Sequence, residues 1–533
     1  MKKIKILLES INRDFLSLVP FIEENINSLK QQDNCLEAFS EQQTVLITYA
    51  DQFQNDKQSH LKSLDEFLTN DMQNLCSHVH ILPFYPWTSD DGFGPNNYHE
   101  VSEEYGTWED IDNIHAHKMF DCVFNHLSSQ SDIFQKALKG DWISKQMFHT
   151  FSEDEYNDPM FQHQMKIIVR PRTSPLLTPY DFNGETRYVW TTFSADQVDT
   201  NLDHPEMMKY ILESFFLYIE KGAKFFRIDA VPFLWKKLGS NCSHLHKTHL
   251  VVQLFRAIVD AIGSDLLIIT ESNVPHFENI SYFGTGANEA HVVYNFSLAP
   301  LVLHALTFKT SHWINEWIKD VFDIPKGVTY LNFTATHDGI GMRGLEGLVP
   351  EVEVEMMCDA TRSLNGRVGM KQSRSGEEKP YELNITWASY LESITNDIDL
   401  HTKLVVNSHA FVMFFPGIAA HYVHNFFGTQ SWIEGRELTG VARTVNRKKL
   451  KYPLSLNDKE SKVFTGLKEW IKLKSARKCF HPKADIELLS FDDRVISFKR
   501  TYKNESAEVY FNITAETLTA NGHKLEAFDL LVL

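Results

Sequence analysis

The chain has 533 residues, a net charge of −18, 43% hydrophobic residues and 12% aromatic residues. So large an acidic excess argues against a nucleic-acid partner, because binding energy for nucleic acids comes mostly from Lys and Arg on phosphate. The hydrophobic content allows a large core, and α/β barrels exceed the usual size of one domain. The six cysteines form no Cys-x-x-Cys pair, so they indicate neither a zinc site nor a disulfide framework.

No segment of the chain is expected to enter a membrane. The first residues, MKKIKILLESINRDF, are interrupted by polar residues from Ser10 to Asp14, too early for the apolar core of a signal peptide. The most apolar stretch, 409–427, contains three histidines, an asparagine and a Pro-Gly pair, and is too polar for a membrane span. We expect a cytoplasmic protein.

Residues 1–40 are predicted to form a helical cap that packs on the main domain. Apolar residues recur there at helical spacing, at Leu7, Ile11, Phe15, Leu18, Phe21 and Ile22.

After residue 40, short apolar runs alternate with amphipathic stretches. This alternation predicts right-handed βαβ units and a parallel sheet. Eight such runs are the number needed for a closed (β/α)₈ barrel, or TIM barrel. The predicted strands are 44–50, 79–85, 119–124, 225–231, 266–270, 291–294, 328–334 and 410–415.

Two gaps between predicted strands are too long for one helix. Residues 127–205, after the third strand, are predicted to be an inserted domain. Residues 340–400 contain a Gly- and Ser-rich stretch at 367–376, which we interpret as a loop over the site. We assign 41–464 to the barrel with these insertions. From about residue 465 to 533 the apolar period changes to two, which predicts a C-terminal antiparallel β-domain.

The fourth predicted strand carries two charged residues, Arg227 and Asp229, in an otherwise apolar run. They are two residues apart, so a strand points both side chains to the same side. A buried charge needs a partner, and a guanidinium keeps a neighbouring carboxylate ionised with a low pKa. An ionised carboxylate at a strand end suits a covalent nucleophile. The alternative is an Arg–Asp pair that only stabilises the fold.

Polar residues also follow three other predicted strands. Strand three ends in residues 121–126, strand five ends in Glu271, and strand seven runs into residues 336–339. The active site of such a barrel is built from these strand ends. Paired carboxylates without a pattern of metal ligands suit glycosidic chemistry, with one nucleophile and one acid that later acts as base.

The motifs DCVFNH, FRIDAV, ITES and ATHD, in this order, resemble the four short blocks of glycoside hydrolase family 13, the α-amylase family. The resemblance extends over almost the whole chain, from Thr44 into the C-terminal β-domain. Within that family, the chain more closely resembles the sucrose phosphorylase subfamily. Four of its stretches are similar to stretches of that subfamily: LPFYPWTSDDGFGPNNYHEV, RPRTSP, VWTTFSADQVDTNL and RTVNRKKL.

The resemblance implies a role for each matching residue. Asp229 is then the nucleophile, Glu271 the general acid/base and Asp338 the stabiliser of the transition state. The residues implied to bind the glucosyl unit are Asp90 on its far side, Phe93 as an apolar platform, His126 and His337 on its hydroxyl groups, and Arg227, which keeps Asp229 ionised.

The subfamily transfers a glucosyl group to inorganic phosphate, so phosphate is the implied co-substrate and no cofactor or metal is expected. Guanidinium groups suit phosphate. Arg172 matches the arginine that serves there, and Arg443 is a second candidate. Either arginine could instead pair with one of the many acids. The expected partners are a small glucoside and phosphate, with a homodimer as an open alternative to a monomer.

Several positions depart from sucrose phosphorylases. Glu271 is followed by Ser-Asn-Val-Pro-His, Phe233 replaces a tyrosine, and the loop after residue 339 differs. These features resemble glucosylglycerate and glucosylglycerol phosphorylases. The basic residues Arg367, Lys371 and Arg374 could bind the carboxylate of glycerate, or they could equally be solvated charges of the loop. A sucrose or sucrose 6'-phosphate phosphorylase, an α-glucoside hydrolase or transglycosidase, and a non-catalytic sugar-binding barrel remain alternatives.

Overall fold

The centre of the molecule is a closed barrel of eight parallel strands, which confirms the predicted fold. In the computed structural model, which describes residues 1–30, 38–372, 378–489 and 491–533, each strand pairs with the next in chain order and the eighth pairs with the first. The barrel strands are Thr44–Thr48, His78–Ile81, His117–Cys122, Ala223–Ile228, Leu267–Thr270, Val292–Tyr294, Thr329–Asn332 and Ile418–Tyr422.

Helices lie in the connections between the barrel strands and cover the outside of the barrel. Most barrel strands are buried along their whole length because the helices bury one face and the barrel interior buries the other. The α-helices are Lys2–Ile11, Val19–Leu29, His60–Glu66, Trp108–Asp112, Asp132–Leu138, Trp142–Gln146, Glu153–Asn157, Pro159–Met165, Pro205–Glu220, His246–Ile262, His276–Asn279, Leu298–Phe308, His312–Val321, Glu351–Ser363, Trp387–Leu391, Ile398–Phe411, Ile433–Thr439 and Asp458–Ser475.

The register of the fourth and fifth strands places two carboxylates side by side. Ile228 lies opposite Thr270 in this parallel pair. The next residue on each strand is therefore Asp229 or Glu271, at the same edge of the barrel. The backbone continues this pairing, since the Glu271 amide donates to the Ile228 carbonyl at 3.1 Å.

The prediction for the eighth strand was wrong. Residues 410–415 form the end of the helix Ile398–Phe411 and the 3₁₀ turn Val412–Phe414, and the strand is Ile418–Tyr422. A short apolar run fits a buried helix as well as a buried strand, and this helix is buried along most of its length. The Pro-Gly pair that follows is the turn into the strand.

Gly417, in that turn, has a φ of +143°. A Cβ atom there would lie 2.5 Å from Asn332 Nδ2 and 2.7 Å from the Tyr330 carbonyl oxygen. We expect Gly417→Ala to lower the free energy of unfolding by about 2–3 kcal/mol, because it combines backbone strain with a clash in a barrel strand. Thermal unfolding followed by circular dichroism measures this. Gly440→Ala, where a Cβ would meet no atom within 4 Å, should cost less, and equal costs would contradict the prediction.

The segment 127–205 carries its own small antiparallel sheet, formed by Thr150–Ser152, Leu177–Phe182 and Glu185–Trp190. Its two ends are joined by the antiparallel pair His126–Ser128 and Gln197–Asp199. This pairing returns the chain to the barrel and holds the segment beside the ends of the third and fourth strands.

The segment 340–400 is more ordered than the predicted loop. Arg367–Gln372 is a strand that pairs antiparallel with Glu378–Asn384, and the short strand Ile340–Gly341 pairs on the other side. The remainder of the predicted stretch, including Arg374, lies outside the described residues. The strand Glu378–Asn384 reaches the mouth of the barrel.

At the N-terminus, the helices Lys2–Ile11 and Val19–Leu29 pack against the barrel helix His246–Ile262. Ile4, Leu7, Leu8 and Ile11 form the buried face of the first helix.

The C-terminal sheet is antiparallel, as predicted, and is formed by Asp485–Leu488, Val495–Tyr502, Glu505–Asn512 and Leu530–Val532. A hairpin of Leu518–Ala520 and His523–Leu525 accompanies it. The boundary predicted at 465 falls inside the helix Asp458–Ser475, so the strands begin later in the chain. Arg500, fully buried in this sheet, donates to the carbonyl groups of Phe414 and His481 and thereby ties the sheet to the barrel.

Within the described ranges, every helix is too short or too polar to cross a membrane.

Candidate active site

All ten predicted site residues line one cavity at the carboxyl-terminal mouth of the barrel. The cavity encloses about 630 Å³ of space, part of which is open to solvent. The ten residues are Asp90, Phe93, His126, Arg172, Arg227, Asp229, Glu271, His337, Asp338 and Arg443.

Arg227 links the carboxylates at the bottom of this cavity. Its Nη1 lies 2.7 Å from Asp229 Oδ1 and also donates to Asp121 Oδ1. Its Nη2 lies 3.8 Å from Glu271 Oε2. Asp121 is held from the other side by His80 Nε2 at 2.6 Å. One buried guanidinium therefore serves three carboxylates that come from three consecutive barrel strands.

The pKa of Asp229 differs in direction from the expectation. Burial raises the pKa of Asp229 above its ordinary value, and the opposing effect of Arg227 does not cancel the increase. Burial is the largest cause, and the negative charge of Asp121, which also contacts Arg227, adds to the increase. Arg227 therefore favours the ionised form of Asp229 without giving it a low pKa.

Glu271 is set up as a proton donor near neutral pH. Burial raises the pKa of Glu271 to about 7, and the negative charges of Asp229 and Asp338 add to the increase. Arg227 and a hydrogen bond from the Ala230 amide to Glu271 Oε2, at 3.1 Å, act in the opposite direction. Two neighbouring carboxylates thus have different environments, as acid and nucleophile require.

Asp338 is held ionised by arginines. Its Oδ1 lies 2.8 Å from Arg443 Nη1 and 3.1 Å from Arg447 Nη2. Burial alone would raise the pKa of Asp338, but Arg443, His337 and Arg447 outweigh burial and hold the pKa well below its ordinary value. A permanently negative group therefore faces the cavity opposite Asp229 and Glu271.

The sequence analysis did not identify Glu382, a further carboxylate at this site. It is buried on the strand Glu378–Asn384 and accepts two hydrogen bonds from Arg443, from Nε at 2.8 Å and from Nη2 at 2.6 Å. Arg443 therefore has a carboxylate partner for each of its three guanidinium nitrogens, counting Asp338. This occupancy makes Arg443 a support for Asp338 rather than an open anion site.

Arg447 was also not identified, although it lies in the quoted motif RTVNRKKL. It is buried, and its Nη1 lies 3.2 Å from Asp90 Oδ1 and 2.6 Å from Asp91 Oδ2. Because its Nη2 also contacts Asp338, Arg447 links Asp338 to Asp90 and Asp91, which come from a distant part of the chain. Asp90 itself stands in a left-handed backbone conformation, with a φ of +50°.

Phe93 and His337 form a flat wall of the cavity. Their rings are stacked, with centroids 5.1 Å apart and an interplanar angle of 2°. Burial lowers the pKa of His337 to about 3, so its imidazole is neutral at physiological pH. His126 Nε2 lies 2.6 Å from the Phe93 carbonyl oxygen and holds this segment in place.

Arg172 is the most accessible arginine of the predicted set. Its side chain is 27% exposed, and its Nη1 lies 3.8 Å from Glu382 Oε1. Its guanidinium carbon is 5.4 Å from the centre of the Tyr381 ring. Within the described part of the chain, no carboxylate is hydrogen-bonded to Arg172, so its donors remain available to an anion.

Other residues line the cavity without having been predicted, among them the polar residues Gln197, Asn273, Arg343 and Tyr381. None of these four follows a barrel strand directly. Glu382 and Arg447 lie just behind them. Among the described residues, no group of three His, Cys, Asp or Glu side chains is arranged to hold a metal ion.

Comparisons with known proteins agree with this geometry. The family model "Alpha amylase, catalytic domain" matches residues 72–338. The chain is 36% identical to a glucosylglycerate phosphorylase of Escherichia coli, over 92% of this chain and 89% of that protein. It is 38% identical to a glucosylglycerate phosphorylase of Spirochaeta thermophila, over 87% of this chain and 79% of that protein.

A solved structure has the same fold. The crystal structure of sucrose 6F-phosphate phosphorylase from Thermoanaerobacter thermosaccharolyticum superimposes with a TM-score of 0.77 at 21% identity. The match covers 93% of this chain and all of the other.

Proposed function

Because the chain belongs to the α-amylase family, glycoside hydrolase family 13, and within it to the glucoside phosphorylases, we propose that it converts glucosylglycerate and phosphate to glycerate and α-glucose 1-phosphate. The observation that carries the donor is the identity of 36% and 38% to two glucosylglycerate phosphorylases over most of the chain. The cavity supports the reaction, since it combines the paired carboxylates with an arginine open to an anion.

In the first step, Asp229 attacks the anomeric carbon of the donor. The bond from this carbon to the glycerate oxygen breaks while a bond to Asp229 Oδ forms, and Glu271 transfers its proton to the departing oxygen. Glycerate leaves, and a β-glucosyl ester of Asp229 remains. The raised pKa of Glu271 supports this step, because the residue must still hold its proton near pH 7.

In the second step, an oxygen of phosphate attacks the same carbon and Asp229 is released. Phosphate is already anionic and needs little help from a base, and the proton that it brings returns to Glu271. Two displacements retain the α configuration. Arg172 would hold the phosphate, because its guanidinium is accessible and lies beside Tyr381 at the cavity wall.

The remaining predicted residues would bind and stabilise the glucosyl unit. Asp338, kept ionised by Arg443 and Arg447, would stabilise the positive charge that develops on the sugar. Phe93 would support an apolar sugar face. Asp90, His126 and His337 would accept or donate hydrogen bonds to hydroxyl groups, and Arg227 would favour ionised Asp229.

The rate of phosphorolysis is expected to fall as the pH rises through about 7. The first step needs protonated Glu271, and burial raises the pKa of Glu271 to about 7. Above that pH, kcat/KM for the donor should fall about tenfold per pH unit, because this ratio reports the free enzyme. A profile of kcat/KM from pH 5 to 9 measures the effect. A flat profile up to pH 9 would contradict the assignment of Glu271 as the acid.

The donor is tested with a panel of glucosides. Glucosylglycerate, glucosylglycerol, sucrose and sucrose 6'-phosphate are each incubated with enzyme, with and without phosphate, and glucose 1-phosphate and glucose are quantified. We expect the highest kcat/KM for glucosylglycerate and release of glucose 1-phosphate only with phosphate. A preference for another donor would overturn the donor proposal, and release of free glucose alone would indicate a hydrolase.

We further propose that the reaction needs no cofactor, since two carboxylates and an arginine supply every step.

A cytoplasmic location is supported by the five described cysteines, which are buried and unpaired, as is typical of reducing compartments. The oligomeric state, monomer or homodimer, stays a prediction that light scattering can check.

A further inference from the structure

Arg343 is a cavity residue outside the predicted set, and it lies beside the proposed general acid. It begins the 3₁₀ turn Arg343–Leu345, after the seventh barrel strand. Its Nη1 donates to the Asn273 carbonyl at 3.2 Å, and Asn273 is only two residues beyond Glu271. The guanidinium is therefore positioned on the side of the cavity where Glu271 meets the departing oxygen.

The guanidinium of Arg343 keeps donors for a ligand. Four arginines line the cavity, and two of them, Arg227 and Arg443, each contact at least two carboxylates. Arg343 uses Nε on Glu346 at 3.2 Å. In the described part of the chain its Nη2 has no hydrogen-bond partner.

The charge of Arg343 is not cancelled by Glu346. The same carboxylate oxygen of Glu346 also accepts from Lys371 Nζ at 2.5 Å. Arg343, Glu346 and Lys371 together therefore carry one net positive charge, and a hydrogen bond with His244 together with the charges of Arg343 and Lys371 lowers the pKa of the nearby Glu278 carboxyl. Lys371, one of the three basic residues proposed from the sequence for glycerate, contributes to this net charge.

A second, larger cavity opens next to Arg343 and is basic. It encloses about 2160 Å³ of space, part of which is open to solvent, and shares Pro171 and Arg343 with the active-site cavity. Its lining includes five Lys or Arg residues and two acids, Glu278 and Glu346. In a chain of net charge −18, such a local reversal of sign favours the approach of anions.

The carboxylate of the proposed donor needs a cation close to Glu271. In a glucoside of glycerate joined through its 2-hydroxyl group, the carboxylate is attached to the carbon that carries the glycosidic oxygen. When Glu271 reaches that oxygen, the carboxylate must lie only a few bonds away. Planar guanidinium groups bind carboxylates through paired hydrogen bonds.

We propose that Arg343 binds the carboxylate of the donor and makes the enzyme select glucosylglycerate over neutral glucosides, while Arg172 binds phosphate. This assignment rests on the proposed function. It gives the two anions of the reaction separate arginines that line the same cavity. Glu346 orients Arg343 through Nε, and Asn273 orients it through Nη1.

The test compares a charged and a neutral donor in Arg343→Gln. We expect KM for glucosylglycerate to rise at least about tenfold, because a hydrogen bond to a charged group is lost. KM for glucosylglycerol, which has a hydroxymethyl group in place of the carboxylate, should change less than about threefold, and KM for phosphate likewise. Arg343→Lys, which keeps the charge, should recover part of the loss. Equal losses for both donors would overturn the assignment.

Arg172→Gln is the matched variant. It should raise KM for phosphate at least about tenfold and leave the ratio of kcat/KM between the two donors unchanged within about threefold. A change in that ratio equal to the one in Arg343→Gln would also overturn the assignment. Thermal unfolding of each variant shows whether it is folded. If the wild-type enzyme released no glucose 1-phosphate from glucosylglycerate, the proposed function itself would fail, which is a different result.

Discussion

Asp229→Asn is expected to reduce kcat for phosphorolysis by at least about 10⁴-fold, because removal of a covalent nucleophile eliminates the pathway rather than slowing one contact. The amide has nearly the shape of the carboxylate and can still accept a hydrogen bond from Arg227, so the fold of the cavity should persist. Initial rates of glucose 1-phosphate formation measure the effect.

The control for this substitution is Asp399→Asn. Its carboxylate is 80% exposed and contacts only Lys462 among the ion pairs of the described residues. We expect its kcat to stay within about twofold of the wild-type value, as for most surface substitutions. An Asp229→Asn enzyme that kept more than about one hundredth of the wild-type kcat would rule out Asp229 as the nucleophile.

Glu271→Gln is expected to reduce kcat/KM for glucosylglycerate by about 10²–10⁴-fold, the usual contribution of a general acid. The loss should depend on the donor. α-Glucosyl fluoride releases a leaving group that needs no proton, so its rate should fall less than about tenfold. The amide oxygen of Gln can still accept the hydrogen bond from Ala230, which limits structural change.

Two further observations separate acid catalysis by Glu271 from a structural role. The variant should lose the decrease in kcat/KM above pH 7, because no group of raised pKa remains at this position. A structural defect would instead reduce the rates with both donors by the same factor. Equal losses with glucosylglycerate and α-glucosyl fluoride would therefore contradict the role of Glu271.

The barrel and the site residues at its strand ends could be predicted from the sequence pattern, whereas Asp90, Phe93, Arg172 and Arg443 came only from the resemblance to glycoside hydrolase family 13. Asp229 and Glu271 directly follow apolar runs, and parallel strands bring such positions to one edge. Position alone did not determine the pKa of Asp229. That pKa depends on burial and on the opposing charges of Arg227 and Asp121, which are properties of packing and not of spacing.

The eighth strand and the arginine network were harder to predict for different physical reasons. Residues 410–415 are apolar because a buried helix ends there, and burial hides the period that separates helix from strand. Glu382 and Arg447 come from segments without a regular apolar period, and they reach the site only through tertiary contacts with Arg443 and Asp338.

The measurement that tests the central claim most directly is an NMR time course of the first product. Enzyme, glucosylglycerate and phosphate are mixed, and ³¹P and ¹H spectra follow the anomeric configuration and the fate of the glucosyl group. We predict that α-glucose 1-phosphate is the first glucosyl product and that glucosyl release stops when phosphate is omitted. First formation of the β anomer, or release of glucose at a rate independent of phosphate, would contradict a retaining transfer to phosphate.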